Sequence, residues 1–258
     1  MTDPTAAGHL VDRLFPDPAV DLDLDEAMAG FAPPPAPAGR PAVGVNMVTS
    51  VDGRAQIDGT AEGLGSRADR RLMRLYRAAF DGVASGAGTL RATGVWLRVG
   101  ADLEARRRAA GRPPNPTGIV VAGQDPVPLD ARWFAGDERR ILVVGRDNPH
   151  RGAPAGTELL RAPDERPAPA WLLGELAARG IGSVLLEGGP HLNAAFLAAG
   201  MIDELYWTVG AQLLGTDTLP MIAPLPEGSP SAPHRGRLVS VLRHDDELFL
   251  RYRFGTAG

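Results

Sequence analysis

Ser183-Val-Leu-Leu-Glu-Gly-Gly-Pro190 is a short apolar run that stops at a carboxylate, two glycines and a proline. The apolar part, Ser183 to Glu187, reads as a strand bounded by a turn. Pro190 suits the first turn of a helix, so Pro190 to Ala199 continues as one. Upstream, Trp171 to Arg179 is expected as a helix; downstream, Glu204 to Val209 is expected as another strand. Gly118-Ile-Val-Val-Ala122 and Ile141-Leu-Val-Val-Gly145 are continuous apolar runs, the pattern of strands covered on both faces.

Towards the N-terminus, Val43 to Val48 and Gly82 to Gly86 read as two more strands. Between them Ser66-Arg-Ala-Asp69 looks like a helix start of the capping type, with an acid three residues after a side-chain acceptor. Leu72, Leu75, Tyr76 and Ala79 then form one helical stripe. Arg98 to Pro116 breaks every period and is expected as a loop, as is Leu213 to Arg237. Leu238–Leu242 and Leu248–Phe254 flank His244-Asp-Asp-Glu247 as an antiparallel hairpin. In its second strand Leu248, Leu250, Tyr252 and Phe254 alternate with Arg251 and Arg253, which predicts that the apolar set is the buried one.

The order of elements predicts an α/β, three-layer domain with a mainly parallel sheet and an antiparallel C-terminal hairpin, spanning residues 42–258. Residues 1–41 carry Pro16, Pro18, Pro33, Pro34, Pro35, Pro37 and Pro41. They read as a proline-rich N-terminal arm in which only Asp23 to Phe31 suits a short helix.

Composition removes several chemistries. With 258 residues the chain can bury a core without cross-links. There is no cysteine, which excludes disulfides, thiol nucleophiles and Cys-ligated zinc. All 27 basic residues are arginine, which excludes a Walker lysine and lysine Schiff bases. A net charge of −4 offers no field for a nucleic-acid backbone, so no nucleic-acid partner is expected. His9, His150, His191, His234 and His244 lack ligand spacing, so no metal site is expected. No apolar run is long enough to span a membrane, and the polar start, Met1 to Leu10, lacks a basic and apolar leader. The expected location is cytoplasmic.

Three places could hold a ligand. In Leu186-Glu-Gly-Gly-Pro-His191 the glycines allow close approach to a helix N-terminus, a natural diphosphate site; the alternative is a tight turn with no ligand. Gly86-Ala-Gly-Thr89 is a second glycine turn after a strand, but it lacks the dinucleotide fingerprint. Thr49-Ser-Val-Asp-Gly-Arg54 is either an Asp-Gly turn or a place for Asp52 to act as proton donor or acceptor.

Taken together and in order, Val45-Asn-Met-Val-Thr-Ser-Val-Asp-Gly-Arg54, Gly65-Ser-Arg-Ala-Asp-Arg-Arg71 with Arg77, Asp81-Gly-Val-Ala-Ser-Gly-Ala-Gly-Thr-Leu90, Leu185-Leu-Glu-Gly-Gly-Pro190 and Ile202-Asp-Glu-Leu205 resemble the reductase domain of riboflavin biosynthesis. That family is the pyrimidine reductase or RibD C-terminal family, with a fold like dihydrofolate reductase. The resemblance covers about residues 42–254 and implies an NADPH-dependent reductase, usually a homodimer, acting on a small pyrimidine or pterin-like substrate. In riboflavin synthesis such enzymes reduce the ribosylamino group of a diaminopyrimidinone 5′-phosphate to the ribityl form.

Carried over by motif, the resemblance implies that Val48, Thr49, Thr89 and the run Gly189, Pro190, His191, Leu192, Asn193 contact NADPH. Gly188 and Gly189 would form the diphosphate turn, with a cis peptide between them, and Gly86 and Gly88 would admit the cofactor closely. Arg77 and Glu187 match substrate positions, for phosphate and sugar hydroxyls respectively, a task each group suits. Asp52 and Glu187 are the expected catalytic partners. The chain departs from the family at Thr93, Gly94 and Val95, where Asp, then Asp or Asn, then Pro is usual, so one expected acidic contact is missing. A riboflavin-type reductase, a dihydrofolate-type pterin reductase and a non-catalytic NADP-binding relative all remain open at this level.

Overall fold

The structure is a computed structural model that describes residues 9–215, 217–229 and 233–255. The polar start up to Gly8, and parts of the expected 213–237 loop, lie outside the described residues. The elements in chain order are β1 (Leu10–Phe15), β2 (Ala19–Asp23), α1 (Leu24–Ala27), β3 (Ala42–Ser50), α2 (Arg67–Ala79), β4 (Gly82–Gly86), α3 (Ala87–Thr93) and α4 (Ala101–Ala109). They continue with β5 (Thr117–Val121), β6 (Arg140–Val144), β7 (Thr157–Arg161), α5 (Pro169–Ala177), β8 (Ser183–Leu186), α6 (Pro190–Ala198), β9 (Glu204–Gly210), β10 (Gly236–His244) and β11 (Glu247–Phe254).

One eleven-stranded sheet runs in the order β2-β1-β10-β11-β9-β3-β8-β4-β5-β6-β7. From β9 to β7 every pairing is parallel; from β2 to β9 every pairing is antiparallel. The three-layer α/β reading holds. One face packs against α1, α2 and α3 through Leu24, Leu72, Tyr76 and Leu90. The other packs against α5 and α6 through Leu172, Leu173, Leu176 and Phe196. Strands β5, β6 and β8 are covered from both sides, which is why they read as unbroken apolar runs.

The stretch expected as an arm supplies two strands to the sheet edge. β1 pairs with β10, and β2 folds back on β1. Only Val11 of β1 is buried, so there is no alternation to read, and Pro16 and Pro18 mark the turn between strands. The arginine-rich stretch expected as a loop contains α4. Its inner face is Leu103 and Arg107, and the Arg107 guanidinium donates to the carbonyls of Ala78, Phe80 and Pro113. A buried arginine in place of a second apolar residue erased the helical stripe. Strand β7 was also illegible, being a short edge strand with one buried residue.

The hairpin forms where expected, but the buried face is the opposite one. Glu247 and Phe249 are buried, while Leu248, Leu250 and Tyr252 are half-buried on the far side. Arg251 and Arg253 turn inward because Glu204, 0% exposed, accepts from both. The neighbouring Asp203 accepts two bonds from Arg40 and one from the Val43 amide, tying the start of β9 to the start of β3. The Ile202-Asp-Glu-Leu205 motif is thus structural: its two acids hold adjacent strands together.

Candidate active site

β8 lies between β3 and β4, although the chain visits those two first. Such a switch in strand order opens a crevice beyond the carboxyl ends of the strands. A cavity of about 260 Å³ lies there. Asn46, Met47 and Val48 of β3, Ser85 of β4, and Glu187 to Pro190 after β8 form its floor. Asp69, Met73 and Arg77 of α2 form one wall; Thr89, Thr93 and the segment Val95 to Leu97 form another.

The turn after β8 brings the first two candidate motifs together. The Gly188–Gly189 peptide is cis, as the resemblance implied. The Gly188 carbonyl accepts from the Gly86 amide at 2.8 Å. A side chain on Gly86 would place its Cβ 3.2 Å from the Gly189 nitrogen, so the two turns touch through bare backbone. Gly189 precedes α6 and carries no capping side chain, which leaves helix N–H groups for an anion. The Ser85 hydroxyl is buried in the cavity floor with no hydrogen-bond partner. A glycine cradle, an uncapped helix N-terminus and an orphaned hydroxyl fit a dinucleotide carrying a diphosphate and a polar ring.

Arg77 and Glu187 meet in the cavity as a fork-to-fork pair, Nε to Oε1 at 2.7 Å and Nη2 to Oε2 at 2.6 Å. The other arm of the guanidinium donates to the carbonyls of Trp96 and Arg98. An arginine has five N–H donors, so one remains for a ligand. Arg77 therefore holds Glu187 and the 96–98 segment in place first, and has little left for a phosphate.

Asp52 is elsewhere. It sits in the turn after β3, exposed and off the cavity wall, and accepts from Ser50 Oγ at 2.6 Å and from the Leu214 and Gly215 amides. Those bonds hold its carboxyl well below the usual range, a poor state for a proton donor. Thr49 points away from Val48, and its hydroxyl is taken by Trp207 Nε1 and the Ser50 carbonyl. Gly88 is open to solvent, His191 is exposed, and Asn193 is buried with its amide donating to the Met221 carbonyl. Of the expected residues, Val48, Arg77, Thr89, Glu187, Gly188, Gly189 and Pro190 line the cavity. Gly86 supports it from behind.

Trp96 and Asp69 are among the lining residues that sequence reasoning did not assign to the site. Trp96 lines the cavity at 37% exposure, with the Arg132 guanidinium stacked 4.2 Å above its ring. Asp69 passed for a helix-capping acid. Ser66 Oγ does accept from the Asp69 amide at 3.2 Å, but the carboxylate that accepts from the Ser66 amide belongs to Glu247. Asp69 lines the cavity instead, and burial, with Glu247 and Glu187 nearby, pushes its carboxyl up to about 6.

No helix among the described residues is long and apolar enough to cross a membrane. A protein of Archaeoglobus fulgidus named 2,5-diamino-6-ribosylamino-4(3H)-pyrimidinone 5′-phosphate reductase is 29% identical over 188 residues, 71% of this chain and 86% of that protein. Riboflavin biosynthesis protein RibD of Mycobacterium tuberculosis is 33% identical over 178 residues; the match covers 69% of this chain and 44% of that protein. The crystal structure of a pyrimidine reductase-like protein from Corynebacterium diphtheriae superposes with a TM-score of 0.71 at 19% identity, covering 84% of this chain and 93% of that one, and shares the fold. Residues 41–248 match the RibD C-terminal domain family, and the chain belongs to that family.

Proposed function

We propose that this chain is an NADPH-dependent reductase of a ribosylaminopyrimidine 5′-phosphate, converting the ribosylamino group to the ribityl form. The observation that carries the reading is that the Gly188–Gly189 turn and the Arg77–Glu187 pair line the same cavity. Gly86, Gly188, Gly189 and the start of α6 would hold the diphosphate, with Ser85, Thr89 and Val48 along the rest of the cofactor. When bound, NADPH supplies the hydride. The chain's own part is positioning. Arg77 fixes the Glu187 carboxylate so that its remaining lone pairs accept from sugar hydroxyls, and the last free N–H of Arg77 is available to the phosphate.

The same reading takes the enzyme as cytoplasmic and as a homodimer, the latter being the assembly that the resemblance implies. The half-buried sheet face carrying Leu205, Trp207, Leu250 and Tyr252 supports an isologous contact. Loss of NADPH absorbance on adding the ribosylaminopyrimidinone phosphate tests the substrate. Turnover of that compound and not of a dihydropterin supports the reading; turnover of the pterin alone overturns it.

A further inference from the structure

We propose that Asp69 delivers the proton that the reduction consumes. The inference rests on the reductase reading above and adds the residue that completes its chemistry. Among the described residues, two acids line the cavity, Asp69 and Glu187. Glu187 is committed: both of its oxygens accept from Arg77. Asp52 lies outside the cavity and is held ionised by its turn. Asp69 has no ionic partner of that kind.

Its placement is built by three elements. Ser66 starts α2 and hands its own amide to Glu247 of β11, which releases the Asp69 side chain from capping. Gly65 lies directly against the carboxyl, where a Cβ would collide with it. Thr208 of β9 donates to it from the sheet side. The charged groups around Asp69 are Arg70 on its own helix, Glu247 from β11 and Glu187 after β8. Burial above all, joined by the two carboxylates and opposed by the Thr208 bond and Arg70, favours the neutral acid, and its level of about 6 leaves it able to give and regain a proton near neutrality.

In its open-chain form the ribosylamino group carries a C=N bond. Hydride from the reduced nicotinamide forms the new C–H bond at the sugar carbon, and the π electrons of C=N pass to nitrogen. Nitrogen takes the Asp69 proton as its new N–H. The products are the ribitylamino compound, the oxidised nucleotide and an Asp69 carboxylate, which water in the open cavity reprotonates.

The test uses the full chain with Asp69→Asn and Asp69→Glu, each assayed for turnover across pH and for NADPH affinity by calorimetry. Wild-type kcat should fall as pH rises above about 6, and D69N should lose roughly 100-fold or more of kcat together with that limb, the size expected of a general acid. D69E should restore part of the rate with the limb displaced, and NADPH affinity should stay within about twofold throughout. D69N with wild-type kcat and an unchanged limb would overturn the proposal alone, as would a loss of rate matched by an equal loss of NADPH affinity. A carboxyl carbon NMR titration of the wild type gives a check independent of any variant. A midpoint for Asp69 near the ordinary value of about 4 would overturn the assignment. A wild type that binds NADPH but turns over no pyrimidine or pterin would overturn the reductase reading, and this inference with it.

Discussion

The Arg77 guanidinium and the Glu187 carboxylate, 110 positions apart in sequence, close a bidentate pair with side-chain exposures of 8% and 9%. The pair links α2 to the turn after β8, and so ties the α2 wall of the cavity to its glycine floor. Removing one partner leaves the other charge buried without compensation. Arg77→Met should therefore destabilise the fold by about 3–5 kcal/mol, partly by orphaning the Trp96 and Arg98 carbonyls. Glu187→Gln keeps the shape and should cost less, while abolishing turnover. Urea unfolding of both variants checks the order.

Glu204 poses the same question away from the site. It is 0% exposed and serves Arg251, Arg253 and the Tyr206 hydroxyl at once. Glu204→Ala should cost on the order of 3 kcal/mol, since two guanidinium groups and a phenol lose their acceptor. Arg251, 18% exposed, should matter more than Arg253, 39% exposed, because the latter can turn to water. Denaturation midpoints of the three alanine variants test that ranking.

The raised Asp69 level has a consequence for stability as well as for turnover. An acid whose folded-state value lies above its unfolded one binds more protons when folded, so stability falls as pH rises between the two. Here the window runs from the ordinary value of 3.8 to about 6, and the cost above it is up to about 3 kcal/mol. D69N should thus be more stable than wild type at pH near 8 and equal to it near pH 4. Thermal melts at the two pH values decide it; equal melting temperatures at both would contradict the burial of a charge at this position. Asp25, Asp102 and Glu104 shift the other way, held below their ordinary values by Arg71, Arg71 and Arg98, although burial opposes each pair. Their contribution is present above the unfolded carboxylate range and is lost as pH falls through their lowered values, so overall stability should peak between the two effects.

Gly65 offers a subtler test. Its missing side chain makes room for the Asp69 carboxyl, so Gly65→Ala should displace that group while leaving the glycine cradle on the far side intact. The expected result is a loss of kcat of about tenfold or more with little change in NADPH affinity, read by steady-state kinetics and calorimetry.

Where the sequence was legible, one side chain pattern answered to one physical demand. The doubly covered strands β5, β6 and β8 have no polar face to interrupt them, and Ser66 marks the start of α2 because an extended backbone there needs an acceptor for the Asp69 amide. Glu187-Gly-Gly-Pro190 could be read as a site because glycines before a helix leave backbone for a ligand. The failures come from polar groups whose partners lie far along the chain. Asp69 passed for a capping acid because the real partner of the Ser66 amide, Glu247, is 181 residues away. Arg251 and Arg253 passed for a solvated face because nothing local announces the buried Glu204. Arg107 hid a helix for the same reason, and Asp52 looked catalytic although its ligands are amides of the segment at Leu214 and Gly215. Apolar periodicity is a local signal; burial of charge is settled by tertiary partners.

The account stands on the glycine cradle as a nucleotide site. Its most direct test is calorimetric titration of nucleotide-free protein with NADPH, beside NADH and beside the Gly189→Val variant, in which the new Cβ would lie 3.3 Å from Thr89 Oγ1. The account predicts saturable one-to-one binding of NADPH, weakened by about tenfold or more, or roughly 1.4 kcal/mol, in a variant that still unfolds cooperatively. Folded wild-type protein that takes up no NADPH would contradict it, and the cis turn would then be a turn between a strand and a helix.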